Sequence, residues 1–419
     1  MTEGFVEFLE VMKKAKKAAT VTAGSTGLVR NAFLIKLAKL IDLKSPEIIQ
    51  ANQRDMEEGQ RQGVNDSVLD RLLLNDSRLK QLSEGLNECV SLSDPIGAVE
   101  DQITMNNGLT VGRRRIPLGL IGFICEARPG AVVEAAAMAV KSGNALLAKP
   151  GRDAYYTSLV FNQIIAQALT EASLPAETVI VKPALSQAEL SFMVSQADIL
   201  DLVIPRGGQS LIEFIDLHSR VPVLRHYKGV NHLFVERSAD LAMALELTVN
   251  GKCNRPSTCN ALECLLVDEK IADVFLPRAV SALTAKGVKL YGDPKAAALS
   301  SDIIPAQSDT FGQEFLDLIL AVKVVEGLPE AMEHISQYGS RHTETICTDN
   351  LTSANEFLNL VDASCVMVNA STRLNDGGCL GLGAEIGIST SKIHAYGPMG
   401  LKELTTTKFV VVGNGHLRS

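Results

Sequence analysis

Residues 116–151 read IPLGLIGFICEARPGAVVEAAAMAVKSGNALLAKPG, and their order of apolar and polar runs sets the expected fold. Leu118–Cys125 is a short apolar run, long enough for a strand and too short for a helix. Val132–Ser142 reads as a helix, and Ala145–Lys149 as a second strand. Strand, helix, strand in that order implies a right-handed crossover between parallel neighbours. The alternation continues through a helix at Ala154–Ala172, a strand at Val179–Val181, a helix at Gln187–Gln196 and a strand at Leu202–Ile204. The expected fold class is α/β, with a parallel, doubly wound sheet.

Ligands of such sheets sit beyond the carboxyl ends of the strands. Those ends carry Glu126-Ala127-Arg128-Pro129, Lys149-Pro150-Gly151-Arg152 and Pro205-Arg206-Gly207-Gly208. All three loops hold cations and the last two hold glycine, as a phosphate-bearing ligand would require. No GxGxxG follows a strand, and the pairs Gly207-Gly208 and Gly377-Gly378 are individually weak signals.

Outward from this region, Phe5–Ala19, Asn31–Leu43 and Ser45–Gln62 carry apolar residues at helical steps, with Ser67, Asp70 and Asp76 near further helix starts. Gln102–Met105 and Leu109–Arg115 flank Asn107-Gly108, a hairpin signal. A two-stranded arm is marginal alone. Phe409–Val412, near the end of the chain, is the β-branched run expected to pair with it. A second α/β segment is expected from Val235, after a strand at His232–Val235, with a helix at Leu241–Val249 and a strand at Ala261–Val267.

Among 419 residues, 46% are hydrophobic and 21% charged, which suits a soluble chain of two or three domains. A net charge of −8 offers no basic footprint, so nucleic acid is not an expected partner. The most apolar run, Ala131–Val140, is short and interrupted by Glu134, so it cannot span a bilayer. Eight scattered cysteines suit a reducing compartment, and a cytoplasmic location is expected.

Asn250–Glu263 reads NGKCNRPSTCNALE. Cys259 sits in a polar loop just ahead of an apolar strand, with Lys252 and Arg255 nearby, where a thiolate could be stabilised. An isolated cysteine is otherwise a small core residue. Cys253, Cys259 and Cys264 lack the paired spacing of structural zinc, and no metal is expected. These residues alone reach an α/β enzyme with cationic loops and a candidate nucleophile, and no further.

Longer segments go beyond that. RRRIPLGLIGFICEARP at 113–129, IPRGGQSLI at 204–212, KCNRPSTCNALECLLV at 252–267, NASTR at 369–373 and GLGAEIGISTSKIHAYGPMGLKELTTTK at 381–408 together resemble the gamma-glutamyl phosphate reductases, a branch of the aldehyde dehydrogenase superfamily. So do GQEFLDLILAVKVVEGL at 312–328 and YGSRHTETI at 338–346. The resemblance implies a Rossmann-type cofactor domain (1–100 and 117–235), an α/β catalytic domain (236–395) and a small β oligomerisation arm (101–116 and 405–419). It implies Cys259 as the thioester-forming nucleophile. Lys149, Gly207, Gly208, Ser210 and Glu314 would bind the cofactor, NADPH or NADP.

For the substrate, the same resemblance points to Arg128 and Lys252 near the departing phosphate, and to Arg373 at the α-carboxylate beside Asn369, His342 and Thr343. It departs from the family pattern at Pro150, Arg152, Leu374, Cys379, Leu380 and Tyr396. The expected reaction is NADPH-dependent reduction of L-glutamyl 5-phosphate to the semialdehyde, in proline biosynthesis. A homo-oligomer and a separate glutamate 5-kinase are the expected partners. Hydrolytic relatives place a water-activating Glu before a Gly-Gly-Lys run, and the matching VLRHYKGVN at 223–231 has no carboxylate. That argues against the rival reading, an NAD-linked oxidising dehydrogenase. The other rival, a non-catalytic scaffold with the same fold, would not need a reactive cysteine.

Overall fold

A computed structural model describes residues 3–224 and 228–418. Most of the VLRHYKGVN run is described, but its residues 225–227 lie outside, as does the side chain of Ser67. The chain forms two compact units divided after residue 225, with 382–387 and 399–419 returning to the first.

The first unit begins with five helices, α1 (Glu3–Gly24), α2 (Gly27–Leu43), α3 (Ser45–Arg61), α4 (Asp66–Leu72) and α5 (Asp76–Ser91). Their starts are set by polar caps. Thr26, Asn65 and Asn75 each accept an N–H from the first turn of α2, α4 and α5. In α3, Ile48, Ala51, Asn52, Asp55 and Gly59 form a buried stripe at helical spacing.

The arm follows as β1 (Val99–Thr104) and β2 (Thr110–Pro117), paired antiparallel around a turn containing Gly108, whose φ is +87°. Then come β3 (Leu120–Cys125), α6 (Pro129–Lys141), β4 (Ala145–Lys149), α7 (Tyr155–Glu171), β5 (Val179–Val181), α8 (Gln187–Val194), β6 (Leu202–Arg206) and α9 (Gln209–His218). The four strands from β3 to β6 form a parallel sheet in the order β5-β4-β3-β6. Leu120–Cys125 is buried throughout, which explains its unbroken apolar sequence. The helix α7 has no side-chain cap of its own. Asp55 of α3 supplies one, accepting the N–H groups of Tyr156 and Thr157 at 2.9 and 2.8 Å.

The second unit holds β7 (Asn231–Val235), α10 (Leu241–Cys253), β8 (Leu262–Asp268), α11 (Ala272–Thr284), β9 (Lys289–Gly292), α12 (Pro294–Ala297), β10 (Ile303–Pro305), β11 (Ile319–Val325), α13 (Leu328–Tyr338), β12 (Thr343–Cys347), α14 (Leu351–Leu360) and β13 (Cys365–Val368). Seven parallel strands line up as β10-β9-β11-β8-β7-β12-β13. One side of this sheet packs on a cluster including Phe275, Leu276 and Leu283, and another cluster gathers Phe234, Ile335 and Phe357. The expected boundary after Val235 is therefore corrected: β7 pairs with β8 and β12, so the strand opens the second sheet. Its register with β8 slips between Asn231 and His232, which pair with Leu262 and Cys264 and leave Glu263 as the extra residue of a bulge.

A two-stranded ladder, β14 (Ile388–Ser389) with β15 (Gly397–Pro398), precedes the last strand, β16 (Thr405–Val412). β16 pairs antiparallel with β2 along its whole length, from Thr405↔Pro117 to Val412↔Thr110. The arm is thus a three-stranded sheet, β1-β2-β16, and the pairing expected of Phe409–Val412 is present. Deleting residues 408–419 removes five of those register pairs, from Lys408↔Arg114 onward. We expect the truncated chain to lose order in β1 and β2, seen as faster amide exchange there, because an isolated hairpin is marginal.

Candidate active site

Cys259 lies in the turn between α10 and β8, and its backbone is gripped from several sides. Asn231, fully buried at the start of β7, donates from Nδ2 to the carbonyl oxygens of Cys259 at 2.8 Å and Ala261 at 2.6 Å. Asn260 Nδ2 donates to the Asn375 carbonyl at 3.0 Å. Arg373 Nη1 donates to Thr258 Oγ1 at 2.8 Å, and its Nε reaches Asn254 Oδ1 at 3.3 Å.

Gly229 closes the remaining side. A Cβ there would stand 2.8 Å from the carbonyl carbon of Cys259 and 3.1 Å from its Cα, and nearer still to the carbonyl oxygen. Only glycine allows this approach. The Gly229 N–H donates to Glu314 Oε1 at 2.8 Å, which links Glu314 to the backbone that carries Cys259. Burial raises the Glu314 carboxyl above its usual range, opposed by that N–H and by Lys228.

The electrostatics distinguish the thiols. Burial pushes the Cys253 thiol up, so it is held as S–H. Burial and the neighbouring Arg255 lower the Arg373 pKa, while Cys259, Asp376 and Cys379 raise it. A guanidinium that Cys259 stabilises in turn stabilises a Cys259 thiolate.

Four candidates from the sequence take different places. Lys252 is fully buried, with its ammonium 2.8 Å from Glu263 Oε2 and 3.0 Å from the Asp317 carbonyl. It is corrected from a phosphate contact to one half of an internal ion pair, which ties the end of α10 to the β8 bulge. Burial raises Glu263 to about 7 and lowers Lys252, so desolvation outweighs the attraction at both groups. His342 and Thr343 are also fully buried, with His342 Nδ1 2.7 Å from Thr343 Oγ1. Thr343 Oγ1 accepts Asn375 Nδ2 at 2.8 Å, which puts the pair behind the nucleophile loop as support. Asn369 spends both ends of its amide on the Thr348 backbone, each at 2.9 Å.

Removing one partner of a buried ion pair leaves an uncompensated charge, at about 3–5 kcal/mol. Lys252→Met is expected to lower the melting temperature accordingly. Without the ammonium, the Glu263 carboxyl is raised further. A carboxyl with a raised folded pKa binds its proton more tightly in the folded chain, so stability falls as pH rises from the unfolded value toward the folded one. The melting deficit is therefore expected to be larger at pH 8 than at pH 6.

The first unit gathers Lys149, Gly207, Gly208 and Ser210 at the carboxyl ends of β4 and β6. A Cβ on Gly207 would lie 2.5 Å from Glu126 Oε2 and 2.6 Å from Leu211 Cδ2, so the β6–α9 turn is shaped for glycine. The Gly208 N–H donates to Glu126 Oε2 at 2.9 Å, so this amide already serves an anion at the start of α9. Ser210 is exposed in the first turn of that helix. Burial lowers the pKa of Lys149 and Glu126 opposes the shift. Arg128 is exposed at the start of α6, after Ala127 in the left-handed region at φ +44°. Glycines, helix N–H groups and a cation fit a dinucleotide pyrophosphate.

Sequence reasoning missed Gly229, Asn231, Asn260 and Glu126. The first two stand in the sequence as a Gly and an Asn just before a strand, a signal shared by many ordinary turns.

These two sites, a thiol set before a buried strand and a glycine-lined helix N-terminus beyond a parallel sheet, are the arrangement expected of a cofactor-dependent oxidoreductase. The aldehyde dehydrogenase family pattern matches residues 6–301, and the chain belongs to that family. Its similarity extends further. A gamma-glutamyl phosphate reductase of Thermus thermophilus is 50% identical over 410 residues, 98% of each chain. One from Desulfatibacillum aliphaticivorans is 46% identical over 414 residues, 99% of each. The crystal structure of the Thermotoga maritima gamma-glutamyl phosphate reductase superposes with a TM-score of 0.96 at 43% identity, covering 98% of this chain and 99% of that one. Within the family, the chain falls among the gamma-glutamyl phosphate reductases. Family membership implies a nicotinamide cofactor. Among the described residues, no helix is long and apolar enough to cross a membrane.

Proposed function

We propose that this chain reduces L-glutamyl 5-phosphate to L-glutamate 5-semialdehyde with NADPH, releasing phosphate, as the reductive step of proline biosynthesis. The observation that carries the reading is the construction around Cys259: a clamped backbone, a close-packed Gly229 and the Arg373 guanidinium nearby. The Cys259 thiolate attacks the acyl carbon, the acyl–oxygen bond breaks and inorganic phosphate departs, leaving a thioester on Sγ. NADPH, when bound, supplies a hydride equivalent. The thioester carbon accepts it, the carbon–sulfur bond breaks and Cys259 returns to thiolate as the aldehyde leaves. Backbone N–H groups near Cys259 would stabilise the oxyanion, each such donor being worth about 3 kcal/mol in other enzymes.

Lys149, Gly207, Gly208 and Ser210 would hold the pyrophosphate, and Glu314 the nicotinamide ribose. The absence of any carboxylate from VLRHYKGVN at 223–231, where hydrolytic relatives carry the water-activating Glu, supports a long-lived thioester. Arg128 is our candidate for the departing phosphate. The reading also includes a homo-oligomer built through the three-stranded arm, a glutamate 5-kinase as supplier of the labile substrate, and the cytoplasm as its place.

The deciding experiment is the reverse assay with semialdehyde, NADP and phosphate, in which NADPH should appear only when all three are present. Turnover without phosphate would instead support an oxidising dehydrogenase. Arg373 is assigned to the substrate α-carboxylate. Arg373→Met should cut kcat/KM for the semialdehyde about 10- to 100-fold, the cost of a lost charge-assisted hydrogen bond. NADP affinity should stay unchanged. Unchanged semialdehyde kinetics would move the carboxylate site elsewhere.

A further inference from the structure

We infer that His232, Cys264 and His334 form a site for one zinc-class divalent cation inside the second unit, independent of the reductase chemistry. The three residues come from β7, β8 and α13, and all are buried. One ligand atom from each lies within 4.8 Å of the other two.

One edge already has ligand geometry. Cys264 Sγ is 3.6 Å from His334 Nε2. Around a tetrahedral zinc, with Zn–S about 2.3 Å and Zn–N about 2.0 Å, sulfur and nitrogen are separated by about 3.5 Å. Only a modest inward shift of the third ligand completes the set.

Two further observations point to a cation. His232 Nδ1 lies 2.8 Å from Glu344 Oε2, itself fully buried. A carboxylate on the outer nitrogen is the usual support of a metal-bound imidazole: it fixes the tautomer and leaves Nε2 with a lone pair for the metal. His232 Nε2 is buried and no hydrogen bond of ordinary geometry reaches it, the Cys264 thiol being the polar group that faces the ring. A buried polar atom without an ordinary hydrogen bond needs an explanation, and a bound ion supplies one.

The charges close once the ring proton leaves. Burial lowers the His232 pKa, but Glu344 and Cys264 outweigh it and raise the group to about 10, so binding displaces the imidazolium proton as well as the thiol proton. A divalent ion, one thiolate and the Glu344 carboxylate then sum to zero, as a site removed from water requires. On binding, Cys264 gives up its thiol proton to solvent and forms the metal–sulfur bond. One thiolate with two imidazoles selects zinc over magnesium or calcium. Three protein ligands leave the fourth position to a small exogenous ligand. The spacing of Cys253, Cys259 and Cys264 argued against a zinc knuckle, but Cys264 meets a histidine 70 residues away instead of a neighbouring cysteine. Because β8 begins just after the Cys259 turn, an ion here would brace the strand behind the nucleophile without touching substrate.

The test is metal content of the full chain produced with zinc in the medium, alongside cobalt incubation of the Cys259→Ser chain, in which the catalytic thiol cannot compete. We expect one zinc per chain in wild type and in Cys259→Ser, and none in Cys264→Ala or His334→Gln. The cobalt form should show a thiolate-to-cobalt charge-transfer band in the near ultraviolet. Cys264→Ser, a smaller change that keeps the fold if alanine does not, should abolish the band. Glu344→Gln should weaken cobalt binding about 10- to 100-fold. A wild-type chain that takes up neither metal overturns the site. So does zinc that survives Cys264→Ala, or zinc that leaves on Cys259→Ser and so belonged to the catalytic thiol.

Discussion

Cys259→Ala is expected to fold normally and to lose turnover by about 10⁴-fold, since the turn between α10 and β8 then holds no thiol to form the thioester. Cys259→Ser should fare little better, because a hydroxyl is too weak an acid to replace a thiolate at neutral pH. Cys253→Ala is the control. Its thiol is raised by burial and should contribute nothing, so that variant should keep wild-type rates. The comparison is made by the reverse assay, with circular dichroism to confirm folding. Full activity in Cys259→Ala would end the thioester mechanism, and an equal loss in Cys253→Ala would move the nucleophile.

A single methyl group provides the second large effect. In Gly229→Ala, the new Cβ cannot coexist with the Cys259 carbonyl, since it would sit 2.8 Å from the carbonyl carbon. The turn must move, and a displacement near 1 Å of a reacting group costs about a hundredfold in rate. We expect kcat/KM to fall by about that factor, with alkylation of Cys259 changed in parallel. The melting temperature should change less than in Lys252→Met, because the turn can shift while the buried ion pair cannot be replaced. Wild-type turnover in Gly229→Ala would mean that the turn's position is not critical.

The fold was legible where burial wrote itself into composition. β3 and β4 are continuous apolar runs because both faces of their sheet are covered, and their ends fell within two residues of expectation. The arm was readable from Asn107-Gly108, and its third strand from the β-branched run at the end of the chain. Cys259 stood out by its polar loop and by family resemblance. Its supports did not, because they come from far along the chain. The Asn231 bond to Cys259 spans 28 residues, and the Gly229 bond to Glu314 spans 85. Lys252 misled for a physical reason. A lysine beside a candidate thiol reads as an anion contact, and only the β8 bulge reveals that Glu263 is turned toward it. His342 and Thr343 misled similarly, since polar residues ahead of a strand give no sign of being sealed beneath another loop.

The pairing of β16 with β2 has a consequence for the nascent chain. Thr405 meets Pro117, so the middle strand of the arm is synthesised long before its partner. At ordinary rates of translation the wait is about 15–60 s. Throughout it, the edge of β2 is open to any strand that passes, including another copy emerging nearby. The run Arg113-Arg114-Arg115 is a sensible guard for that interval, because consecutive like charges repel a second identical strand. Once β16 arrives, two of the charges are reused. Arg113 packs over the Phe409 ring, 5.0 Å from its centroid, and Arg115 donates to Glu100 and Thr405. The same side chains that keep the unfinished edge from aggregating then fasten the last strand in place.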